Sequence, residues 1–566
     1  MRTVYYKSRL HVILLVFILA FSVLASRLTY IQFIKYNSFK EKVANQYSFL
    51  LTLEPQRGNI YDRNMRALAC NLKANSLYAI PPHVTGKEAA ASSLSKALSV
   101  DEKTILERLR RKKAFIWLKR KLSPEEVKKV EALNIRGLDY AEEKKRFYPN
   151  GSLASHILGF VDIDNKGLEG IELLYDNHLK GEVGWKAVKR DAKGRELASE
   201  TTISLPPSNG YNVVLTLDEI IQHITEKALD GAYSKYKAKG ATAIVMDPNN
   251  GYILALANRP TFDPNRVGDS EIDWRRNRAV ADCFEPGSAF KIVTASAALN
   301  EDKVVFEDMF FCENGSWNVR GHLLHDHKPH GKLTFKEVIE KSSNIGIVKV
   351  AIKVGENNLY NYIKLFGFGY PTRVDLPGEV SGLLKPPSKW SRFTISSIPM
   401  GQEIGVTAIQ MACAISAIAN GGTYYRPMMV REIRDEKGQS IKKFEPKPVR
   451  RVISQETAAG MKEILKGVVE NGTGKKAQLK DYSSAGKTGT AQKVEPPGVY
   501  SHSKFIATFI GFAPAEDPKI VICVFVDEPK PVYYGGTVSA PVFKQIADET
   551  LKYLELEKDG IVTVRK

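Results

Sequence analysis

Three short motifs follow one another along this chain of 566 residues, and their side chains suit an acyl-transfer reaction. They are Ser288-Ala-Phe-Lys291, Ser342-Ser-Asn344 and Lys487-Thr-Gly-Thr490. Together they supply a serine nucleophile, a lysine base, a serine that can relay a proton and a strand that carries a second lysine. Other Ser-x-x-Lys spacings occur in the chain, so the ordered set of three motifs is the specific signal.

The first motif follows Pro286-Gly287 and precedes an Ala-rich apolar run, which predicts a helix that begins near Ser288. The free N–H groups of a helix N-terminus favour negative charge that develops there. Residues three apart share a helix face, so we expect the Lys291 amine to reach the Ser288 hydroxyl. Desolvation among apolar neighbours would lower the pKa of Lys291 and make it a base. The alternative is an ordinary lysine on a core helix.

The second motif is a polar interruption between two apolar stretches, which is typical of a helix junction that faces a cleft. Ser342 would relay a proton between Lys291 and a leaving amine. Asn344 would hydrogen-bond a substrate amide. The alternative is a helix N-cap, which serine and asparagine commonly form.

The third motif is predicted to open a β-strand that is followed by two more strands. Lys487 and Thr488 would bind a terminal carboxylate, and Gly489 would let the substrate approach the backbone closely. The backbone amides of Ser288 and Thr490 are candidates for an oxyanion hole. The alternative is an edge strand whose lysines protect it from pairing with another chain.

Further segments extend the pattern beyond these motifs. They include Arg57-Gly-Asn-Ile-Tyr-Asp-Arg-Asn-Met-Arg-Ala-Leu-Ala69, Arg146-Phe-Tyr-Pro149, Gly167-Leu-Glu-Gly-Ile-Glu172 and Arg276-Asn-Arg-Ala279. With them, nearly the whole chain resembles the class B penicillin-binding proteins of the FtsI type, the septal D,D-transpeptidases of bacterial cell division. Within the Arg57–Ala69 segment, Met65 stands where the family usually has glycine.

The resemblance implies an α+β protein with a single N-terminal transmembrane helix, an elongated α+β pedestal and a penicillin-binding domain. The last would hold an antiparallel sheet between helical layers. It also implies that Ser288 attacks the penultimate D-Ala of a peptidoglycan stem peptide, that an amine of a neighbouring stem accepts the acyl group, and that β-lactam antibiotics trap Ser288. The implied partners are a SEDS-type septal glycosyltransferase (FtsW-like), small bitopic divisome proteins and the membrane. No cofactor or metal is implied.

The chain is expected to divide into a cytoplasmic tail (1–10), a transmembrane anchor helix (11–36), a pedestal of the dimerisation type (45–210), a transpeptidase domain (211–557) and a short tail (558–566). Basic residues before the apolar run place the N-terminus inside the bacterial cytoplasmic membrane and the catalytic domain outside it. A cleaved signal peptide is the alternative reading of the same run.

A formal net charge of +19 favours anionic partners. For an exported domain this means anionic lipid or the pyrophosphate of a lipid-linked precursor rather than nucleic acid. Five cysteines are too few and odd in number for a disulfide scaffold. The four histidines between His322 and His330 are interpreted as part of a polar surface loop, since serine acyl transfer needs no metal, and a structural zinc site is the alternative that their spacing leaves open.

Three other functions fit part of the pattern. An elongation-specific class B transpeptidase has the same motifs, although the segment Arg276–Ser288 favours division. A β-lactam sensor or hydrolase would not need the Arg57–Ala69 segment. A catalytically silent scaffold would tolerate the loss of Lys291 or Lys487, and both are present.

Overall fold

The structure of the chain is a computed structural model, which describes residues 2–38, 48–113, 115–190, 196–197, 204–319 and 321–555. The predicted tail at 558–566 lies outside these residues. The described residues form two compact units, one drawn from Met1–Gln56 with Gly181–Asn209 and the other from Arg57–Lys180 with Gly210–Lys566.

Helices and strands are numbered along the chain. The strands are β1 (Ser48–Leu53), β2 (Ile60–Tyr61), β3 (Ala67–Ala79), β4 (Ile116–Lys119), β5 (Leu138–Phe147), β6 (Gly184–Arg190), β7 (Glu196–Leu197), β8 (Ser204–Leu205), β9 (Asn212–Leu215), β10 (Gly240–Met246), β11 (Ile253–Arg259), β12 (Met309–Phe311), β13 (Ser316–Val319), β14 (His322–His325), β15 (Lys332–Thr334), β16 (Thr423–Tyr425), β17 (Val430–Arg434), β18 (Ser440–Lys443), β19 (Pro448–Arg451), β20 (Ala485–Glu495), β21 (Val499–Ala513) and β22 (Ile520–Asp527). The α-helices are α1 (Arg2–Thr29), α2 (Lys87–Leu98), α3 (Glu102–Arg110), α4 (Pro124–Glu131), α5 (Ser155–Leu158), α6 (Gly170–Leu174), α7 (Asp176–Leu179), α8 (Glu219–Lys235), α9 (Arg278–Ala281), α10 (Lys291–Asn300), α11 (Phe335–Glu340), α12 (Asn344–Val354), α13 (Glu356–Leu365), α14 (Thr394–Ser397), α15 (Ala408–Ala419), α16 (Gln455–Glu470), α17 (Gly535–Val538) and α18 (Ala540–Tyr553).

The first unit contains helix α1 and a small sheet. Helix α1 continues as a π-helical turn over Tyr30–Ile34. The stretch Arg9–Ile34 is 26 residues long and includes an 18-residue segment with a mean hydropathy of 2.4, and its large apolar side chains are exposed. By length and composition it is able to cross a membrane, where about 20 apolar residues are needed. In the sheet, β6 pairs with β1, β7 and β8.

The second unit contains a seven-stranded sheet whose strands come from distant parts of the sequence. Its order is β18-β17-β9-β2-β3-β4, and β5 also pairs with β3. Strand β2 runs parallel to β9, with Ile60 opposite Val213, and β17 runs antiparallel to β9. Segments on both sides of residue 210 therefore build one sheet. Pairing between strands so far apart in sequence cannot be read from local periodicity.

Beside this sheet lies a buried group of charged residues, which we call the pedestal ion cluster: Arg57, Arg146, Glu172 and Asp176. Arg57 Nε donates to Glu172 Oε2 at 2.7 Å, and its Nη1 donates to Asp176 Oδ1 at 2.7 Å. Arg146 Nε donates to the other Glu172 oxygen at 2.6 Å. Both arginines and Glu172 are at most 4% exposed. Buried charges of this kind are tolerated when they are paired and hydrogen-bonded.

A five-stranded antiparallel sheet of order β11-β10-β22-β21-β20 forms the centre of the second unit. Helices α8 and α18 cover one of its faces, and helices that include α10 and α15 lie in the apolar core on the other. Both faces are buried, so Ile520–Val526 of β22 is apolar at every position without alternation. The predicted antiparallel sheet between helical layers is confirmed.

All five cysteines are free in the structure. Cys312, Cys413 and Cys523 are buried and Cys283 is exposed. The buried thiols act as small core side chains.

Candidate active site

Ser288 lies in a 3₁₀ turn, Gly287–Phe290, that leads directly into helix α10. Gly287 has φ +55° and its N–H donates to Gly401 O at 3.1 Å. A Cβ atom on Gly401 would lie 2.2 Å from Gly287 O, so this close backbone contact requires glycine. The contact fixes the turn and leaves the half-buried Ser288 at the start of the helix, as the sequence predicted.

Lys291 is completely buried at the beginning of α10. Its Nζ donates to Ser342 O at 2.6 Å, to Asn344 Oδ1 at 2.8 Å and to Ser342 Oγ at 3.3 Å. Burial lowers the pKa of Lys291 to about 7, and the negative charge of Asp326 opposes this shift. An amine with this pKa is partly neutral near pH 7 and can accept a proton.

Ser342 joins the two lysines of the site. It lies between α11 and α12 with φ +61°, a left-handed conformation that is uncommon for serine. Lys487 Nζ donates to Ser342 Oγ at 2.9 Å, and Lys487 is also completely buried. Burial lowers the pKa of Lys487 well below its usual value, and the positive charge of Lys291 lowers it further. The structure thus brings Lys291, Ser342 and Lys487 into one hydrogen-bonded chain.

Asp326 organises the second motif, a role that sequence reasoning missed. Ser343 Oγ donates to Asp326 Oδ2 at 2.7 Å, and the N–H groups of Asn344 and Ile345 donate to Asp326 Oδ1. The carboxylate therefore caps the N-terminus of α12 together with Ser343, whose Oγ accepts the Gly346 N–H. The alternative of an N-cap was correct for Ser343, while Ser342 and Asn344 bind Lys291. A carboxylate followed by a distant serine-asparagine pair gives no local signal of this contact.

The third motif lies on β20, an edge strand of the five-stranded sheet. A Cβ atom on Gly489 would lie 3.0 Å from Pro286 O and 3.1 Å from Ala289 Cβ, so this strand packs tightly against the Ser288 turn. Thr488 Oγ1 and Thr473 Oγ1 are 2.7 Å apart, and Thr490 Oγ1 accepts the Gly535 N–H at 3.1 Å. The alternative of protective strand charge fits Lys493, which pairs with Asp527 and Glu528, better than the buried Lys487.

The histidines between His322 and His330 lie around the β13–β14 hairpin. Among the residues that the structure describes, no three His, Cys, Asp or Glu side chains come together as a group that could hold a metal ion. The side chain of His322 lies outside the described set. Asp326, in the middle of this segment, binds the second motif instead.

The fold and the site define a serine acyltransferase built on a penicillin-binding architecture, and comparison with known proteins agrees. The family model of the penicillin-binding protein transpeptidase domain matches residues 241–548, and that of the penicillin-binding protein dimerisation domain matches residues 52–215. The chain belongs to the class B penicillin-binding proteins and is similar to FtsI.

Individual relatives cover nearly the whole chain. Stage V sporulation protein D of Bacillus subtilis is 38% identical over 97% of this chain and 86% of its own length. The peptidoglycan D,D-transpeptidase FtsI of Escherichia coli is 30% identical over 96% of this chain and 92% of its own. The crystal structure of penicillin-binding protein 3 from Mycobacterium tuberculosis complexed with aztreonam is 28% identical, with a TM-score of 0.70 and coverage of 91% and 100%.

Proposed function

We propose that this chain is a serine-type peptidoglycan D,D-transpeptidase that cross-links stem peptides during septal cell-wall synthesis. Family membership and the FtsI relatives support this activity. The observation that carries the residue roles is the hydrogen-bonded chain of Lys291, Ser342 and Lys487 beside the helix that Ser288 begins. The roles given to individual residues below are part of the proposal.

In the first step, Ser288 Oγ attacks the carbonyl carbon of the penultimate D-Ala while its proton passes to Lys291 Nζ. The pKa of about 7 suits Lys291 to this exchange. As the C–N bond to the terminal D-Ala breaks, Ser342 Oγ, which contacts both lysines, passes a proton to the leaving amine. Backbone N–H groups of Ser288 and Thr490 hold the oxyanion.

The third motif holds the substrate. Lys487 is buried and its neighbour Lys291 lowers its pKa, so the carboxylate of the terminal D-Ala brings favourable negative charge to the site. The hydroxyls of Thr488 and Thr490 hydrogen-bond the same end of the substrate, Gly489 allows close approach of the strand, and Asn344 holds a stem-peptide amide.

In the second step, an amine of a neighbouring stem attacks the acyl-enzyme carbon, forms the cross-link amide and releases Ser288. β-Lactam antibiotics enter the first step in place of the D-Ala-D-Ala terminus and leave Ser288 acylated. The binding of a β-lactam, though not its attachment to a residue, is seen in the mycobacterial relative complexed with aztreonam.

The proposal includes location and partners. Helix Arg9–Ile34 crosses the cytoplasmic membrane once with its N-terminus inside, which places residues 45–210 as the pedestal and residues 211–557 as the transpeptidase domain outside. The anchor and pedestal meet a SEDS-type glycosyltransferase and small bitopic divisome proteins. Orientation and these partners are inferred from the basic N-terminal residues and from the family.

A transpeptidase that serves sporulation is the second candidate. The relative named for sporulation is 38% identical to this chain, compared with 30% for the FtsI of Escherichia coli. The chemistry would be the same, and the two candidates differ in the cells and the time at which the protein acts.

Labelling of the full chain in detergent with a fluorescent penicillin tests the activity. Wild-type protein is expected to keep one covalent label, and Ser288→Ala is expected to lose it. The matched control Ser391→Ala removes an exposed hydroxyl outside the site and should label normally. Absence of label on folded wild-type protein would contradict the proposal, and rapid loss of label with drug turnover would indicate a hydrolase.

A further inference from the structure

An open cavity of about 510 Å³ lies in the second unit at the C-terminal end of α13. No residue of the three motifs lines it, and its lining residues are Asn361, Lys364, Leu365, Tyr370 and Arg450. All of these side chains except Leu365 carry a polar group. Cavities of about 300–1,000 Å³ are the size of small-molecule sites, and their polar groups decide which ligand binds.

The guanidinium of Arg450 is held in place by the protein itself. Its Nε donates to Leu365 O at 2.7 Å and its Nη2 donates to Lys364 O at 3.4 Å. These bonds compensate the partial negative charge of carbonyls at the C-terminus of α13. The Arg450 Cζ also lies 4.5 Å from the centre of the Tyr424 ring. Its Nη1 donates to no described residue, and a fixed guanidinium with free N–H groups is ready to bind two oxygens of one anion.

Lys364 brings a second positive charge to the same cavity. Its Nζ lies 5.6 Å from the centre of the Tyr360 ring and 5.7 Å from that of Tyr370, and both rings stabilise the ammonium group. Among the described residues, no carboxylate forms an ion pair with Lys364 or Arg450. An anion that enters the cavity therefore meets two cations and displaces no carboxylate from them.

The other polar groups of the cavity suit a hydroxylated ring. Tyr370 is 52% exposed, so part of its ring is open and a sugar can lie against it. Asn361 is exposed and stands three residues before Lys364 on α13, which places the two side chains on one helix face. The Asn361 amide and the Tyr370 hydroxyl can each donate to and accept from sugar hydroxyls.

The presence of two cations favours a ligand group with more than one negative charge. A phosphate monoester carries a charge of about −1.5 to −2 at pH 7 and three acceptor oxygens. It can bind Arg450 through two oxygens and Lys364 through the third. A carboxylate has a single charge and two oxygens, so it leaves one cation without a partner. The net charge of +19 favours anionic partners for the whole chain, and this cavity gives one of them a defined place.

We propose that this cavity binds a sugar phosphate, with the phosphate on Arg450 and Lys364 and the sugar ring against Tyr370. The site does not rest on the transpeptidase activity, because it shares no side chain with the three motifs. The phosphate belongs either to a free monoester or to a diester that links the units of a polymer, and the experiment separates these two sources.

Isothermal titration calorimetry of the full chain in detergent with N-acetylglucosamine 1-phosphate tests the site. Inorganic phosphate and N-acetylglucosamine are the controls, and each is expected to bind about tenfold more weakly or worse, because each lacks half of the contacts. The affinity for the sugar phosphate should be the same after penicillin has acylated Ser288. The methyl diester of the same sugar phosphate identifies the source. Affinity within about threefold of the monoester assigns the site to a polymer, and weaker binding assigns it to a free monoester, since the diester has less charge.

Three variants and a control locate the ligand. Tyr370→Ala is expected to weaken sugar phosphate binding about tenfold and to leave inorganic phosphate unchanged, because only the sugar contacts this ring. Lys364→Gln should weaken both ligands about fivefold, and Arg450→Gln should weaken both further, because a cation is lost. If Arg450→Gln does not fold, Lys364→Gln still decides. Lys437→Gln removes an exposed lysine outside the cavity and should behave like wild type.

The proposal is wrong if wild type binds inorganic phosphate as tightly as the sugar phosphate, or if Lys364→Gln binds both ligands like wild type. Loss of binding after acylation of Ser288 would also overturn it, because the anion would then lie in the catalytic site. If penicillin fails to label wild type, the transpeptidase proposal falls, while calorimetry with the variants still decides this one.

Discussion

The pedestal ion cluster and the two lysines of the candidate active site are both buried, and they differ in how neighbouring groups compensate their charge. In the pedestal, Arg57 and Arg146 each bind an oxygen of Glu172, and Arg57 also binds Asp176. In the catalytic site, Lys291 and Lys487 share the neutral Ser342 oxygen, and each directly contacts neutral acceptors.

The difference separates a structural use of buried charge from a chemical one. Opposite charges that form ion pairs keep their protonation state, and here they hold together the segments that contain Arg57, Arg146 and Glu172. Burial lowers the pKa of both lysines, which makes the Lys291 amine a base near neutral pH, and the positive charge of Lys291 lowers the pKa of Lys487 further. Removing charge should therefore weaken the fold in the pedestal and weaken the chemistry in the catalytic site.

Lys291→Met gives the largest expected effect on the chemistry. Loss of the base should slow Ser288 acylation about a thousandfold, which corresponds to about 4 kcal/mol. Stopped-flow labelling with fluorescent penicillin measures it. Because the variant removes a buried amine without an ion-pair partner, the thermal midpoint should not fall. Lys353→Ala, on the exposed side of α12, is the matched control, and a similar loss of rate there would contradict the role of Lys291.

Glu172→Gln, in contrast to Lys291→Met, should lower the stability of the fold. It leaves two buried guanidinium groups with less compensating charge, which should lower the free energy of unfolding by about 3 kcal/mol. Urea denaturation followed by tryptophan fluorescence measures this loss. Glu142→Gln breaks an exposed pair with Lys73 and should change stability by less than about 0.5 kcal/mol. Equal effects of the two variants would show that the pedestal cluster is not structural.

The pH dependence of acylation sharpens the same contrast. Lys291 acts as a base only when neutral, so the rate should rise about tenfold per pH unit below its pKa of about 7 and level off above it. Between pH 5 and pH 7 the total rise is about fiftyfold, because half of the amine is neutral at a pH equal to its pKa. The residual activity of Lys291→Met should lack this limb. A flat wild-type profile over this range would show that the base is a different group.

The sequence placed the proposed site residues on their helices and strands, but it did not predict the contacts that position them. The three motifs lie at the ends of elements whose periodicity is plain, such as α10 and β20, so the amino-acid pattern was enough to place Ser288 and Lys487 on them. The hydrogen bond from the Asn344 N–H to Asp326 joins residues that are separated in sequence by β15 and α11. It therefore depends on tertiary packing. The spacing of the histidines around Asp326 did not show that this carboxylate binds the second motif, because spacing alone does not show which way a side chain points.

The pedestal shows the same limit on a larger scale. Resemblance identified Arg57, Arg146 and Glu172 as parts of three separate motifs, but no local pattern predicted that they meet in one cluster. Likewise β9 reads as an ordinary strand, and its parallel pairing with β2 became visible only in the fold. Such contacts are set by which strands the whole chain brings together.

Asp326→Asn should give the smallest effect and tests the one carboxylate that influences the catalytic lysines from a distance. Asparagine keeps an oxygen that can accept the Asn344 and Ile345 N–H groups, so the cap should lose about 1 kcal/mol or less. The negative charge of Asp326 raises the pKa of Lys291, and its removal should shift the acid limb of the rate profile to lower pH by less than about one unit. The rate at pH 6 should then rise a few-fold. Asp308→Asn, an exposed carboxylate that pairs with Lys353, is the control and should leave the limb in place. A limb that moves to higher pH would mean that Asp326 acts on the site through the packing of α12 and not through its charge.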